Sequence, residues 1–368
     1  LAFQTICLDQ CGWKAENKYL IYLNNQYIRN GEIIPEKIFQ ITDVTDAVKA
    51  VTSSVQYKIN NLNIILKQPT IPDISINTRC KYPSRCPFWD WCHKDIDTDC
   101  IYELPYGHHL IPKLEIKGIK KLNEIEGGTK LTPRQKALVD SAKARKPIIN
   151  KTKIKTFLEA FIYPIHFLDF EACAMNPLPY YENSSPYERL PFQYSIHRLQ
   201  KNQKIKHFEF LTEDMEDPRI KLIDKLLSDI GITGSICVWN ASYEVSVIRK
   251  LADRFPNRAK PLLDFIPRIV DLITPFKNGW YADVSIGGSA SIKKVLPAFD
   301  KTLKYSEMDI QSGDNATLIY QQYVTGEISQ NEWIKTFRPA LLSYCGLDTY
   351  AILVIFNKLN DICKLFQR

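Results

Sequence analysis

Near the C-terminus, the stretch LLSYCGLDTYAILVIFNKL has the spacing of an amphipathic helix, yet it places a carboxylate on the apolar side. Leu341, Tyr344, Cys345, Ile352 and Ile355 share a helical face with Asp348. A lone carboxylate in such a place costs several kcal/mol unless something compensates it. Two other places raise the same question. Asp169 and Glu171 stand two apart at the end of the apolar run YPIHFLDFEACA, so in a strand both point to one face. Glu244 falls in WNASYEV, where an apolar run gives way to a helical pattern. Strand ends and strand-to-helix junctions are where α/β sheets build their sites. Four carboxylates converging from three elements would repel one another, and divalent cations relieve that repulsion. Oxygen-rich ligand sets select Mg²⁺ or Mn²⁺. Each feature has a plainer reading. The D-x-E pair could decorate a surface, Glu244 could favour the positive end of a helix, and Tyr344 could simply hydrogen-bond Asp348 one turn away. The combination of order, context and spacing is what points to a site.

The elements that must position these acids can be read from the same patterns. Beyond residue 160, YPIHFLDFEACA is a buried strand, LPFQYSIHRL alternates as a half-exposed strand, and KIKHFEFLT is a third. DPRIKLIDKLLSDIG is a helix capped by Asp217, with Pro218 at its first position and Gly231 as terminator. GSICVWN is a further buried strand running into the helix SYEVSVIRKLADRF. Irregular structure follows, then a helix in GGSASIKKVLPAF, one near residues 314–325 and the final helix. Strands first and helices after predict an α/β fold, a mixed sheet flanked by helices. Residues 1–110 read as a partial α+β module. It has a helical start, two strands turned at Asn24-Asn25, and a helix within residues 42–66 with Asp43 or Thr45 as N-cap. Residues 111–159 read as a basic helical linker, in which Thr132, Pro133 and Gln135 begin a helix with a capping box. The expected domains are therefore 1–110, 111–159 and 160–368.

Composition is that of a globular protein: 368 residues, 45% hydrophobic and 24% charged. No apolar run reads as long enough to span a bilayer and no secretory signal is visible, which leads to a cytoplasmic expectation. The chain opens at Leu1, as a fragment, a processed form or an unusual start would. The net charge of +7 is uneven: residues 111–155 carry thirteen Lys and Arg against four Asp and Glu. Such a segment suits a polyanion such as nucleic acid, and equally a solvated helix. Cys80, Cys86, Cys92 and Cys100 cluster as C-x5-C-x5-C-x7-C, which is not the C-x2-C pair of zinc ribbons.

Taken in order, LDFE, WNASYE and YCGLD resemble the three exonuclease motifs of the DEDD superfamily, the RNase H-like 3′–5′ exonucleases. The middle motif is close to the HNASFD form of DnaQ-type proofreading domains, with Trp239 for His and Glu244 for Asp. Tyr344-x3-Asp348 has the spacing of the tyrosine branch. A wider set of stretches, including LPFQYSIH, DPR and GGSASIKKVLP, is similar to an uncharacterised bacterial family. In that family the domain follows a RecB-type nuclease module with an iron–sulphur cluster, and Glu likewise stands in the middle motif. The resemblance covers about residues 160–368 and implies an RNase H-like fold.

The resemblance also implies a metal-dependent 3′–5′ exonuclease hydrolysing phosphodiester bonds of single-stranded nucleic acid with two Mg²⁺ or Mn²⁺ ions. Asp169 would bridge the ions, Glu171 and Asp348 would complete one site, and Glu244 would serve the other. Tyr344 would orient or deprotonate the attacking water. Phe170, Asn240, Ser289 and Lys293 would hold the terminal nucleotide. DNA is favoured through the RecB-type association, with RNA as the alternative. The cysteines resemble the clustered ligands of RecB-type nucleases, so a 4Fe-4S cluster on Cys80, Cys86 and Cys92 is expected, its fourth ligand being Cys7, Cys11, Cys100 or a residue outside this chain. Zinc held with Cys100 or His93 is the rival. The N-terminal module would be the tail of such a nuclease, with Gln4 as its late glutamine and no activity of its own. Glu115-Ile116-Lys117, the E-x-K tripeptide, lacks strand context. A nucleic-acid-binding or structural subunit of a repair or defence complex, with a degenerate nuclease fold, is the alternative function. No membrane partner is expected, and partner proteins are not specified.

Overall fold

The structure, a computed structural model, describes all residues except 73–76, 78–79, 81–83, 93, 95–98, 174–177 and 364–368. The chain divides into two compact units, Leu1–Ile76 with Asn176–Glu188, and Asn77–Met175 with Arg189–Arg368.

The first unit holds α1 (Ala2–Gln10), β1 (Tyr19–Leu23), α2 (Pro35–Ile38), β2 (Phe39–Asp43) and α3 (Thr45–Leu66). β1 and β2 pair antiparallel, Tyr19 opposite Asp43. The strand expected directly after Asn24-Asn25 does not form. The Asn24 side chain accepts the Gln26 amide at 3.0 Å, an Asx turn that diverts the chain, so β1 pairs with a later segment. Asp43 accepts the Thr45 amide at the start of α3, while the Thr45 hydroxyl is taken by the Lys18 amide. Arg29 binds residues 179–184 into this unit through the carbonyls of Pro179 and Tyr180 and backbone exchange with Ser184 and Asn183.

In the second unit a helical segment precedes the sheet. It comprises α4 (Trp89–Cys92), α5 (Ile111–Ile116), α6 (Pro133–Ala144), β3 (Ile148–Ile149) and α7 (Lys151–Glu159). α6 starts as expected: Thr132 and Gln135 form the reciprocal capping box and Pro133 stands at the first position. Ile101, Leu104, Ile111, Leu114, Leu122, Ile125, Leu138 and Val139 bury one another, so much of the segment read as a linker has a hydrophobic cluster of its own.

The main sheet uses β4 (Ile165–Cys173), β5 (Leu190–Leu199), β6 (Ile205–Leu211), β7 (Ile236–Val238) and β8 (Ile269–Asp271), in the order β6-β5-β4-β7-β8. β4–β5 and β5–β6 are antiparallel, and β4–β7 and β7–β8 are parallel. The expected mixed α/β sheet is present. The sequence reading missed β8, whose three residues are too few to show a period.

Both faces of the sheet are covered. On one, α8 (Arg219–Ile230), α9 (Ala241–Arg254) and α10 (Pro256–Leu263) bury Leu222, Leu226, Ile248 and Leu262 with Leu168, Tyr194 and Val238. The other carries α7, α12 (Ile292–Phe299), α13 (Gly313–Val324) and α15 (Arg338–Cys363). Between these lie α11 (Thr274–Lys277), β9 (Tyr281–Ala282), which pairs with β3, and α14 (Gln330–Glu332). α14 runs through a π-helical turn, Trp333–Phe337, into α15. β5 is buried on both faces rather than half-exposed, because α15 covers the polar side that alternation had assigned to solvent. α8 begins one residue later than read: Pro218 occupies the cap position while Asp217 accepts the Arg219 amide at 3.0 Å. The continuous helix Gln330–Cys363 is also long and apolar enough to cross a membrane, which corrects the reading of the sequence. Of its apolar stretch 56% is buried, as in a core helix.

Candidate active site

β4 presents Asp169 and Glu171 to the face that α15 covers, as the two-residue spacing requires. Asp169 pairs across the sheet with Ser195, and Glu171 with Gln193. Those two neighbours hold the helix down. The Gln193 side chain donates to the Leu341 carbonyl at 2.8 Å, and Ser195 and Thr349 share a hydrogen bond at 2.8 Å. The Thr349 hydroxyl is also 2.8 Å from His197 Nδ1. With α15 fixed in this register, Cys345 lies over Asp169 and Asp348 reaches the strand's acids. A register shift in the β4–β5 pairing directly after Glu171 interrupts the ladder at the site, and pairing resumes with Ala172 opposite Pro191.

Ligand oxygens of Asp169, Glu171 and Asp348 all lie within 4.8 Å of one another. Glu171 and Asp348 are each only 8% exposed, and Asp169 is half-buried. Burial and mutual repulsion favour the protonated forms. Asp169 is raised well above the ordinary carboxylate range by burial, then by Asp348, Glu171 and Glu244. Glu171 is pushed up to about 8, chiefly by burial and then by Asp348. Asp348 is pushed to about 6 by burial, against the pull of hydrogen bonds and of Lys293. The Tyr305 hydroxyl donates to Asp348 Oδ1 at 2.6 Å.

Glu244, in the first turn of α9, is 1% exposed and pushed up to about 8 by burial, with Asp271 adding to the shift. It repels Asp169, yet it lies outside the close trio. Its Oε2 is buried with no hydrogen-bond partner. The start of α9 is set by Asp271, whose carboxylate accepts the amides of Asn240 and Ala241 at 2.9 and 3.1 Å. Asn240 takes a left-handed conformation there, with φ of 80°.

The acids of β4 and α15 line a cavity of about 380 Å³ together with Phe170, Lys293 and Tyr344. Of the expected nucleotide-holding residues, Lys293 is therefore brought in, Phe170 borders the cavity while its ring packs against Tyr194 in the core on the other sheet face, and Asn240 and Ser289 are not brought in. The Asn240 side chain is exposed and engages Ser242 and Lys277. Ser289 accepts the Ser291 amide and faces a different, small pocket beside Arg134. The cavity also has lining that sequence reasoning missed: Arg189, Trp239, Tyr243, Asp314 and Thr317. The Arg189 guanidinium stacks on Tyr243 at 5.3 Å, and the Lys293 ammonium lies over Tyr305 and Tyr344 at 5.1 and 5.4 Å. Two cations and several aromatic rings thus border the acids. Arg189 follows a loop and Tyr305 lies in a short turn, where no period marks a residue.

The donor set suits a hard divalent cation: three carboxylates at ligand spacing, nothing softer among them, and a fourth carboxylate nearby with an unpartnered oxygen. Among the described residues this trio is the only group of three or more His, Cys, Asp or Glu with ligand atoms so close. Cys80, Cys86, Cys92 and Cys100 do not bring three sulphurs to that spacing. Cys80 and Cys86 are linked by a backbone hydrogen bond of 2.8 Å and are half-buried, Cys92 is exposed, and Cys100 is buried in a bridge to Lys121. His93 lies outside the described residues.

A family profile described as a domain of unknown function, DUF2779, matches residues 166–291. That stretch runs from β4 to the start of α12, so it includes Asp169, Glu171 and Glu244 and ends before Tyr344 and Asp348. No curated protein and no solved structure matches the chain.

Proposed function

We propose that this protein is a metal-dependent 3′–5′ exonuclease of the tyrosine branch of the DEDD superfamily, with an RNase H-like domain acting on single-stranded nucleic acid. One observation carries the reading. Asp169, Glu171 and Asp348, from a strand and a helix far apart in sequence, place ligand oxygens within 4.8 Å in a cavity that also holds Tyr344. Ordinary ion pairing would set a cation against each acid, whereas here acid faces acid and a single ammonium, Lys293, acts on both Glu171 and Asp348. The mixed five-stranded sheet with helices on both faces is consistent with the fold.

Asp169, Glu171 and Asp348 would hold the cation, with Glu244 reaching it directly or through water. A bound cation of this kind supplies Lewis acidity and an activated water. Tyr344, 4% exposed at the cavity wall, would orient that water and take part in moving its proton. Arg189 and Lys293 are placed to neutralise phosphate, and the Tyr243 and Trp239 rings offer stacking faces for a base. DNA is the favoured polymer through the RecB-type resemblance. The cysteines contribute no step to this scheme.

The test is digestion of single-stranded oligonucleotides labelled at either end, with Mg²⁺ or Mn²⁺. A ladder that shortens from the 3′ end is expected. Asp169→Ala should lower the rate by about a thousandfold or more, the loss of several kcal/mol of metal-borne stabilisation. A wild-type chain indistinguishable from that variant on both DNA and RNA would overturn the reading. Glu244 favours a second reading, binding without cleavage, because its side chain is one methylene longer than the aspartate of DnaQ-type domains and it lies outside the trio. Oligonucleotide retention with no shortening would decide for it.

A further inference from the structure

The site contains a second tyrosine that the Y-x3-D spacing does not reveal. Tyr305 lies in the turn Tyr305–Glu307 between α12 and α13, and its hydroxyl donates to Asp348 Oδ1 at 2.6 Å. The turn is secured at two further points. The Lys293 ammonium lies over the Tyr305 ring and donates to the Gln311 carbonyl, and the Gln311 amide donates back to the Ser306 and Met308 carbonyls at 3.3 Å each. The two phenols differ in what they face. Tyr344 lines the cavity, whereas Tyr305 is not part of its wall and meets Asp348 from the protein side. A carboxylate that ligates a metal through one oxygen is oriented by the hydrogen bond its other oxygen accepts, and losing such a partner weakens metal affinity about 10–100-fold.

On the metal-site reading above, we propose that Tyr305 is the positioning residue that aims Asp348 at the cation, which leaves Tyr344 to serve the reacting water. The two tyrosines then divide the work. Removing the Tyr305 hydroxyl takes away the 2.6 Å bond that fixes the Asp348 carboxylate, while removing the Tyr344 hydroxyl takes away only a weaker pull on the same group.

The test is direct Mn²⁺ binding to the full chain, read from the free-Mn²⁺ electron paramagnetic resonance signal, for wild type, Tyr305→Phe, Tyr344→Phe and Asp169→Ala. Tyr305→Phe should weaken binding about 10–100-fold, and Tyr344→Phe by less than about threefold. In an Asp348→Asn background, Tyr305→Phe should cost nothing further. Wild-type affinity in Tyr305→Phe, with wild type binding normally, overturns this role and leaves the exonuclease reading standing. Wild type that binds no better than Asp169→Ala overturns both. Should Tyr305→Phe fail to fold, 3-fluorotyrosine at position 305 of the otherwise unchanged chain gives the answer. Its fluorine resonance should shift on adding Mg²⁺, and an unmoved resonance overturns the proposal.

Discussion

The acids themselves supply a measurable handle. Glu171 and Glu244 are pushed up to about 8 and Asp348 to about 6, whereas an unfolded chain ionises such groups near 4. Between those values the folded protein holds protons that the unfolded chain has lost, so stability falls as pH rises. The metal-free protein should therefore show a Tm that declines from about pH 5 to about pH 8, and Glu171→Gln should flatten the decline. Mn²⁺ added at the alkaline end should restore Tm by binding the folded form alone. A metal-free Tm that is level or rising across that range would contradict the geometry of facing carboxylates. At this scale the sequence was informative where a residue broke a pattern. Asp348 stood out because it interrupts an apolar face, and Asp169 with Glu171 because two acids end a buried run. Tyr305 and Arg189 broke no pattern, since neither lies in a periodic element, and only folding brings them to the acids.

The elements show why the main strands and helices could be read and their contacts could not. β4 and β7 announced themselves as apolar runs, and α6 by its capping box. β5 was misjudged as half-exposed because alternation reports polarity and not what covers the polar side. Gln193 and Ser195 are buried there, spent on hydrogen bonds to α15. The glycine pair before α12 illustrates a different kind of information. Gly288 donates its amide to the Glu103 carboxylate at 2.9 Å, and its carbonyl accepts from Arg134 at 2.9 Å. A β-carbon on Gly288 would come within 1.7 Å of the Glu103 carbonyl oxygen. This clamp anchors the loop that leads into α12 and Lys293. Gly288→Ala should destabilise the protein by at least about 2 kcal/mol, measured by chemical denaturation, as a forced backbone shift does. A variant of wild-type stability would show that the loop is not held as described.

Across the whole molecule, the segment 111–155 carries a net charge of +9, while the rest of the chain sums to −2. Its lysines are largely exposed, though several are committed nearby: Lys136 to Asp140 at 2.7 Å, Lys121 to Asp99 at 3.8 Å and Lys143 to the Ile125 carbonyl. Others, such as Lys113, Lys130 and Lys153, are exposed and available to a polyanion. Changing these three to Glu should weaken oligonucleotide binding and reduce the slope of log affinity against log salt by about one per lysine that meets a phosphate. Mn²⁺ affinity should not change, since none of the three lies at the acids. An unaltered salt slope would assign the segment to solvation alone. One consequence of the fold reaches into synthesis. The acids come from β4, α9 and α15, and α15 is made long after the strands it completes. Chains fold from the N-terminal side as they are made, so a ribosome-bound chain whose β4 is already formed still lacks Asp348, Tyr344 and the helix that seats them. On the nuclease reading, the growing chain stays inert beside its own messenger until α15 docks. Chemistry is withheld by the order of translation, with no inhibitor required.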